Sequence, residues 1–259
     1  MNCPKITKII ESKKETPDIK TFNFEYAEKT IPGQFFMIWV PGIDEIPMSV
    51  SHIDEDIKGI TLKRIGDATN ALFNLKKGDM IGVRGPYGNG FNIKGKKIFL
   101  VGGGTGIAML APVVEEVSNK NVSLSVILGV KSKNELFFKN RFKKDGARVY
   151  VTTEDGSEGY KGLATDFAKE ILKKENFNSI LTCGPETMMK KLLDLSGGIY
   201  FQASLERYIK CGIGICGQCC VGKGLRVCKE GSVFEGETLK DVEEFGVYKR
   251  DAAGRKVKF

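Results

Sequence analysis

Residues 98–117 read Ile-Phe-Leu-Val-Gly-Gly-Gly-Thr-Gly-Ile-Ala-Met-Leu-Ala-Pro-Val-Val-Glu-Glu-Val, with no charge before Glu115. The apolar run at 98–101 suits a strand covered on both faces, bounded at once by glycine. Gly102, Gly103, Gly104, Thr105 and Gly106 then make a turn that opens an apolar helix over 107–117. Such a strand, glycine turn and helix let a diphosphate approach the backbone and the helix N-terminus. The run is not a full G-x-G-x-x-G, because Ile107 stands where the last glycine would fall, so its context carries the reading.

The same rhythm continues on the C-terminal side. Strands are expected at 123–130, 147–152 and 179–182, with helices near 165–174 and 186–195, which predicts a doubly wound parallel sheet over residues 95–200. On the N-terminal side the chain gives short apolar or alternating runs at 21–26, 35–40, 48–53, 59–64 and 80–84, with one helix at 68–75. These predict an antiparallel β-barrel over residues 1–94. The fold class expected is therefore multidomain β plus α/β, with a small cysteine-rich domain at 201–259.

Composition narrows the function. The chain has 259 residues, 41% hydrophobic and 28% charged, as in ordinary globular domains. Its longest unbroken apolar run, residues 35–40, is far below the roughly 20 residues of a membrane span. The first residues lack the apolar core of a signal peptide, so the expected location is the cytoplasm. Seven cysteines there point to metal rather than disulfides. The net charge of +8 is spread among acidic residues, and Phe137, Phe138 and Phe142 in the most basic stretch suit packing better than base stacking. Neither nucleic acid nor a membrane is an expected partner.

The cysteines decide the chemistry. Cys211, Cys216, Cys219 and Cys228 are spaced x4, x2 and x8, and the first two gaps match the plant-type [2Fe-2S] pattern. Gly212, Gly214 and Gly217 allow φ > 0 and expose N–H groups toward sulfur. A zinc site is the competing reading, but the x2 pair is not repeated. A Rieske centre needs two histidines, and His52 is the only one. A tail so rich in Cys and Gly is expected to be organised by its metal rather than by a core.

In order along the chain, these pieces resemble the ferredoxin-reductase superfamily, in which Gly-Gly-Gly-Thr-Gly opens and Cys183-Gly184-Pro185 closes a nicotinamide domain. Pro32-Gly33-Gln34-Phe35, residues 85–91 (Gly-Pro-Tyr-Gly-Asn-Gly-Phe) and Glu206-Arg207-Tyr208 ahead of the cysteines are similar to the electron-transfer subunits of dihydroorotate dehydrogenase B. That resemblance implies FAD in the barrel, held by Ile46, Pro47, Met48 and Ser49, by Thr61, Leu62 and Lys63, and by Ala68 and Thr69. It implies NAD at residues 102–106 and 183–185, and an FMN-containing catalytic subunit as partner in a heterotetramer serving pyrimidine biosynthesis. Nicotinamide moves two electrons, a cluster one, and flavin does both. The chain departs from the family at Ile46, commonly Arg, with Lys63 or Arg64 as substitutes for that charge, and at Ala68, commonly Gly. Similar subunits of a hydrogenase, a sulfide dehydrogenase or a ferredoxin:NADP oxidoreductase are the neighbouring readings. A zinc-stabilised module without redox activity is the reading of another class.

Overall fold

The computed structural model describes residues 3–118 and 120–259. Strands β1 (Lys5–Lys14), β2 (Ile19–Glu25), β3 (Phe35–Val40), β4 (Asp44–Ile53), β5 (Ile57–Lys63) and β6 (Met80–Tyr87) close an antiparallel barrel in the order β1-β2-β5-β4-β3-β6. Phe22, Phe24, Phe36, Ile38, Ile60 and Val83 fill it. The rings of Phe24, Tyr26 and Phe36 meet edge to face, with centroids 5.2–6.4 Å apart. Helix α1 (Asp67–Asn74) follows β5 and inserts Leu72 into this core. Strand β1 was not among the expected strands. Five of its ten residues are lysines or a glutamate, and of the strand only Thr7 and Ile9 are buried, so the alternation is nearly hidden. It nonetheless closes the barrel, pairing with β6 through Lys5–Lys8 and with β2 from Ile9 onward.

The second unit contains β7 (Lys97–Gly103), α2 (Ile107–Val117), β8 (Ser123–Val130), α3 (Lys139–Lys144), β9 (Arg148–Thr153), β10 (Tyr160–Lys161), α4 (Ala164–Lys174), β11 (Ser179–Cys183), α5 (Glu186–Leu195) and β12 (Tyr200–Ser204). These strands are parallel in the order β10-β9-β8-β7-β11-β12. Along β7 the pleat sends Ile98 and Leu100 to the layer under α2, and Phe99 and Val101 to the layer under α4 and α5. Strand order reverses between β7 and β11, which opens a crevice at the carboxyl ends of the strands.

The tail adds more than a metal loop. Strand β13 (Cys220–Val221) pairs with β14 (Leu225–Arg226), β15 (Val233–Glu235) joins the large sheet antiparallel to β12, α6 (Gly236–Lys240) packs on β12, and β16 (Tyr248–Arg250) pairs with β17 (Lys256–Lys258). Val221, Val227, Val242 and Phe245 are buried in the same apolar layer as α5. This corrects the expectation of a tail with no core: its apolar residues are isolated along the chain and find their neighbours only across the sheet. The line expected at 200/201 falls at the first residue of β12, so the sheet is shared across it. No described helix is long and apolar enough to cross a membrane.

Candidate functional site

A cleft of about 1010 Å³ lies between β4, β5, the start of α1 and the residues after β12. Ile46, Pro47, Met48, Ser49, Thr61, Leu62, Lys63, Ala68 and Thr69 all line it. The turn before α1 is fixed by Thr69, whose Oγ1 accepts the N–H groups of Ile65 and Gly66, both at 2.9 Å. Two charges named in the sequence behave differently. Arg64 pairs with Asp18 at 2.7 Å and does not line the cleft; Lys63 does line it and pairs with Glu135 at 2.6 Å. Sequence reasoning missed a further part of the lining, residues 205–210, among which Lys210 is exposed. The quoted Glu206-Arg207-Tyr208 was the available signal, because polar residues directly after a buried strand mark a loop at the sheet's carboxyl edge.

The second cleft, about 760 Å³, opens over the carboxyl ends of the parallel strands. Gly103, Gly104 and Thr105 line it from the glycine turn, Gly184 and Pro185 from the turn after β11, and Lys131 and Glu154 from the ends of β8 and β9. Gly102, Gly106 and Cys183 do not line it. They sit behind its wall, where a Cβ on Gly106 would come within 2.4 Å of the Cys183 carbonyl oxygen and one on Gly102 within 3.0 Å of the Ile107 Cα. Their contribution is close approach of α2 to the sheet. The Cys183 thiol is fully buried, and burial pushes its pKa well above the usual thiol value. Lys63, Ile65, Thr105 and Glu206 line both clefts, so the two meet there. Glu206 is accessible through these clefts, while the protein around it raises its pKa by desolvation.

Directly after the cleft-lining residues 205–210, the four expected cysteines share one loop system. The Gly214 N–H donates to Cys228 Sγ at 3.2 Å, Ile215 N–H to Cys211 Sγ at 3.4 Å, and Cys228 N–H to Cys219 Sγ at 3.5 Å. Gly212, Gly214 and Gly217 adopt φ of 72°, 78° and 70°, which aims these groups inward. Burial alone would push the Cys211 thiol up, but N–H groups of Cys216, Ile213 and Ile215 outweigh it and bring its pKa down to about 6. Burial, followed by the hydrogen bond and charge of Cys219, pushes Cys228 up to about 12. Four free thiols, three of them with backbone N–H groups aimed at their sulfurs, fit an iron–sulfur cluster in donor chemistry. Among the described residues, no three His, Cys, Asp or Glu side chains are grouped so as to hold a single metal ion. Cys220 is half-buried, and burial raises its pKa.

Three arginines hold this end of the molecule together. Arg84 binds Glu45 through Nε and Nη2, both at 2.6 Å, and donates from Nη1 to the Cys211 carbonyl at 2.8 Å. Arg226 pairs with Glu230 and donates to the Gly214 carbonyl at 2.6 Å. Arg207 forms an ion pair with Glu186 at 2.6 Å, both side chains 2% exposed, and donates to the Tyr248 carbonyl, so the loop after β12 is tied to α5 and to β16.

Residues 206–240 match the iron–sulfur cluster binding domain of dihydroorotate dehydrogenase B, and residues 100–193 match the oxidoreductase NAD-binding domain. Relatives from Methanocaldococcus jannaschii (47% identity, 99% of both chains) and Methanocella arvoryzae (47%, covering 93% of this chain and 94% of the relative) carry one name, "Probable dihydroorotate dehydrogenase B (NAD(+)), electron transfer subunit". The chain belongs to that family. A solved NADH-dependent reduced ferredoxin-NADP oxidoreductase superposes with a TM-score of 0.82 at 29% identity, covering 94% of this chain and 91% of its own. Phthalate dioxygenase reductase, at 19% identity and a TM-score of 0.65 over 78% of this chain and 69% of its own, shares the fold. As a member of the family, this chain is an oxidoreductase subunit with an NAD-binding domain and an iron–sulfur domain, and it serves a catalytic partner.

Proposed function

We propose that this chain passes electrons between NAD, FAD and a [2Fe-2S] cluster, and through the cluster to an FMN-containing subunit that oxidises dihydroorotate, the two chains working as a heterotetramer in the cytoplasm. The observation that carries the reading is the meeting of the two clefts at Lys63, Ile65, Thr105 and Glu206, because hydride transfer needs contact between nicotinamide and flavin. FAD, when bound, accepts electron pairs and releases them singly.

The positions of these residues in the two clefts support the following roles. Residues 46–49, 61–63 and 68–69 hold FAD, with Thr69 fixing the turn at α1. Gly103, Gly104 and Thr105 offer backbone to the NAD diphosphate, while Gly102, Gly106 and Cys183 support that turn from behind, and Gly184 and Pro185 form the facing wall. Cys211, Cys216, Cys219 and Cys228 hold the cluster. NAD is favoured over NADP because the Glu154 carboxylate lines the cleft where a further phosphate would bring negative charge, although Lys131 on the neighbouring strand end works against it.

Mixing the purified chain with a candidate FMN subunit and assaying dihydroorotate-dependent NAD reduction tests the assignment. Complex formation with turnover supports it, and failure to form a complex refutes the partner. A second reading, a ferredoxin:NADP-type subunit, is favoured by the 0.82 TM-score; it calls for an assay in which reduced ferredoxin replaces dihydroorotate and the FMN subunit, and NADP replaces NAD as the acceptor.

A further inference from the structure

Arg84 lies on β6 with its side chain 10% exposed, and among the described residues it is the one guanidinium that touches both the lining of the barrel cleft and a cluster cysteine. Glu45, its bidentate partner, lines that cleft one residue before Ile46. Cys211, whose carbonyl it binds, is the first of the four cysteines. The loop rests directly on the barrel wall here: a Cβ on Gly212 would stand 3.1 Å from Met37 Cγ and 3.4 Å from both Arg84 Nη1 and Tyr87 Cδ2. Arg226 and Glu230 grip the same loop at Gly214, but their side chains are 32% exposed and neither residue lines the cleft.

We propose that the Glu45–Arg84 pair positions the cluster loop against the flavin strand and keeps the reduction potential of the cluster free of the shift that either charge alone would impose, the two opposite charges cancelling beside Cys211. This rests on the electron-transfer reading above. Reduction of the cluster adds one electron and breaks no bond, so the response to nearby charge is electrostatic. A poorly solvated charge acts strongly at this range. Neutralising Glu45 leaves a cation that favours the reduced cluster. Removing the guanidinium leaves an anion that disfavours it.

The test is an EPR-monitored redox titration of the full chain, loaded with flavin and cluster, for wild type, Glu45→Gln, Arg84→Met and the double variant. At a fixed applied potential Glu45→Gln should raise the ratio of reduced to oxidised cluster about tenfold, equivalent to ~59 mV upward for one electron. Arg84→Met should lower it by a similar factor, and the double variant should return toward wild type. Shifts of the same sign in the two single variants, or no shift in either, overturn the proposal, since loosened structure alone has no reason to reverse sign. If Arg84→Met does not retain its cluster, Glu45→Gln decides alone, and an unmoved potential rejects the pair as a tuning element. A wild-type chain with no flavin or cluster bands fails the electron-transfer reading instead, which the starting spectrum reports before any variant is compared.

Discussion

The parallel sheet and the cysteine loop hold backbone in place by opposite means. Along β7 every residue from Ile98 to Val101 is fully buried, and its side chains alternate between two apolar layers, so position is set by packing on both faces. From Cys211 to Cys216 the loop contributes no such run. Its carbonyls go to Arg84 and Arg226, its N–H groups go to sulfur, and Ile215 is 79% exposed. A nucleotide can slide onto a rigid sheet edge, whereas the thiols must wrap around their ligand. A loop wound on glycines suits the second task, and a packed strand suits the first.

The largest break in that contrast should come from Cys219→Ser, which removes a buried thiol from the loop and leaves the sheet alone. We expect loss of the iron–sulfur absorbance and of electron delivery to the partner. NADH-dependent reduction of a dye through the flavin should survive, and a variant losing both activities would show that the loop also organises the sheet.

Arg207→Met should come next, because it strands the Glu186 carboxylate with both partners 2% exposed. A cost of ~3–5 kcal/mol in denaturant unfolding is expected. Gly106→Ala tests the sheet side alone. Its Cβ meets the Cys183 carbonyl oxygen at 2.4 Å, so about 1–3 kcal/mol of destabilisation and weaker NAD binding are expected, with an unchanged cluster spectrum.

The smallest effect belongs to Glu230→Gln, on the solvent side of the loop. Arg226 beside it holds the Glu230 carboxyl at about 2, below the ordinary 4.5. A depressed carboxylate pKa adds stability above the unfolded value and loses it as pH falls through the folded one. The wild-type advantage over Glu230→Gln should therefore be below about 1 kcal/mol above pH 4.5 and vanish near pH 2.

These differences track what the sequence could reveal. Strands Phe35–Val40 and Ser123–Val130 and helices Ile107–Val117 and Glu186–Leu195 were legible to the residue, since each is a local apolar pattern ended by turn residues. The cysteine loop was legible as chemistry, through spacing. Strand β1 was not, because a barrel wall facing solvent reads as a charged segment. Residues 205–210 were not assigned to the barrel cleft, because they face it only after β12 has joined the sheet. The Arg84 grip on Cys211 joins positions 127 residues apart and leaves no local trace.

The most direct test of the account is an anaerobic titration of the purified full chain with NADH, followed by visible absorbance and EPR. Flavin bleaching accompanied by a reduced-cluster EPR signal is the expected result. A chain whose flavin and cluster are present but unmoved by NADH, or one that holds zinc and neither chromophore, would contradict it.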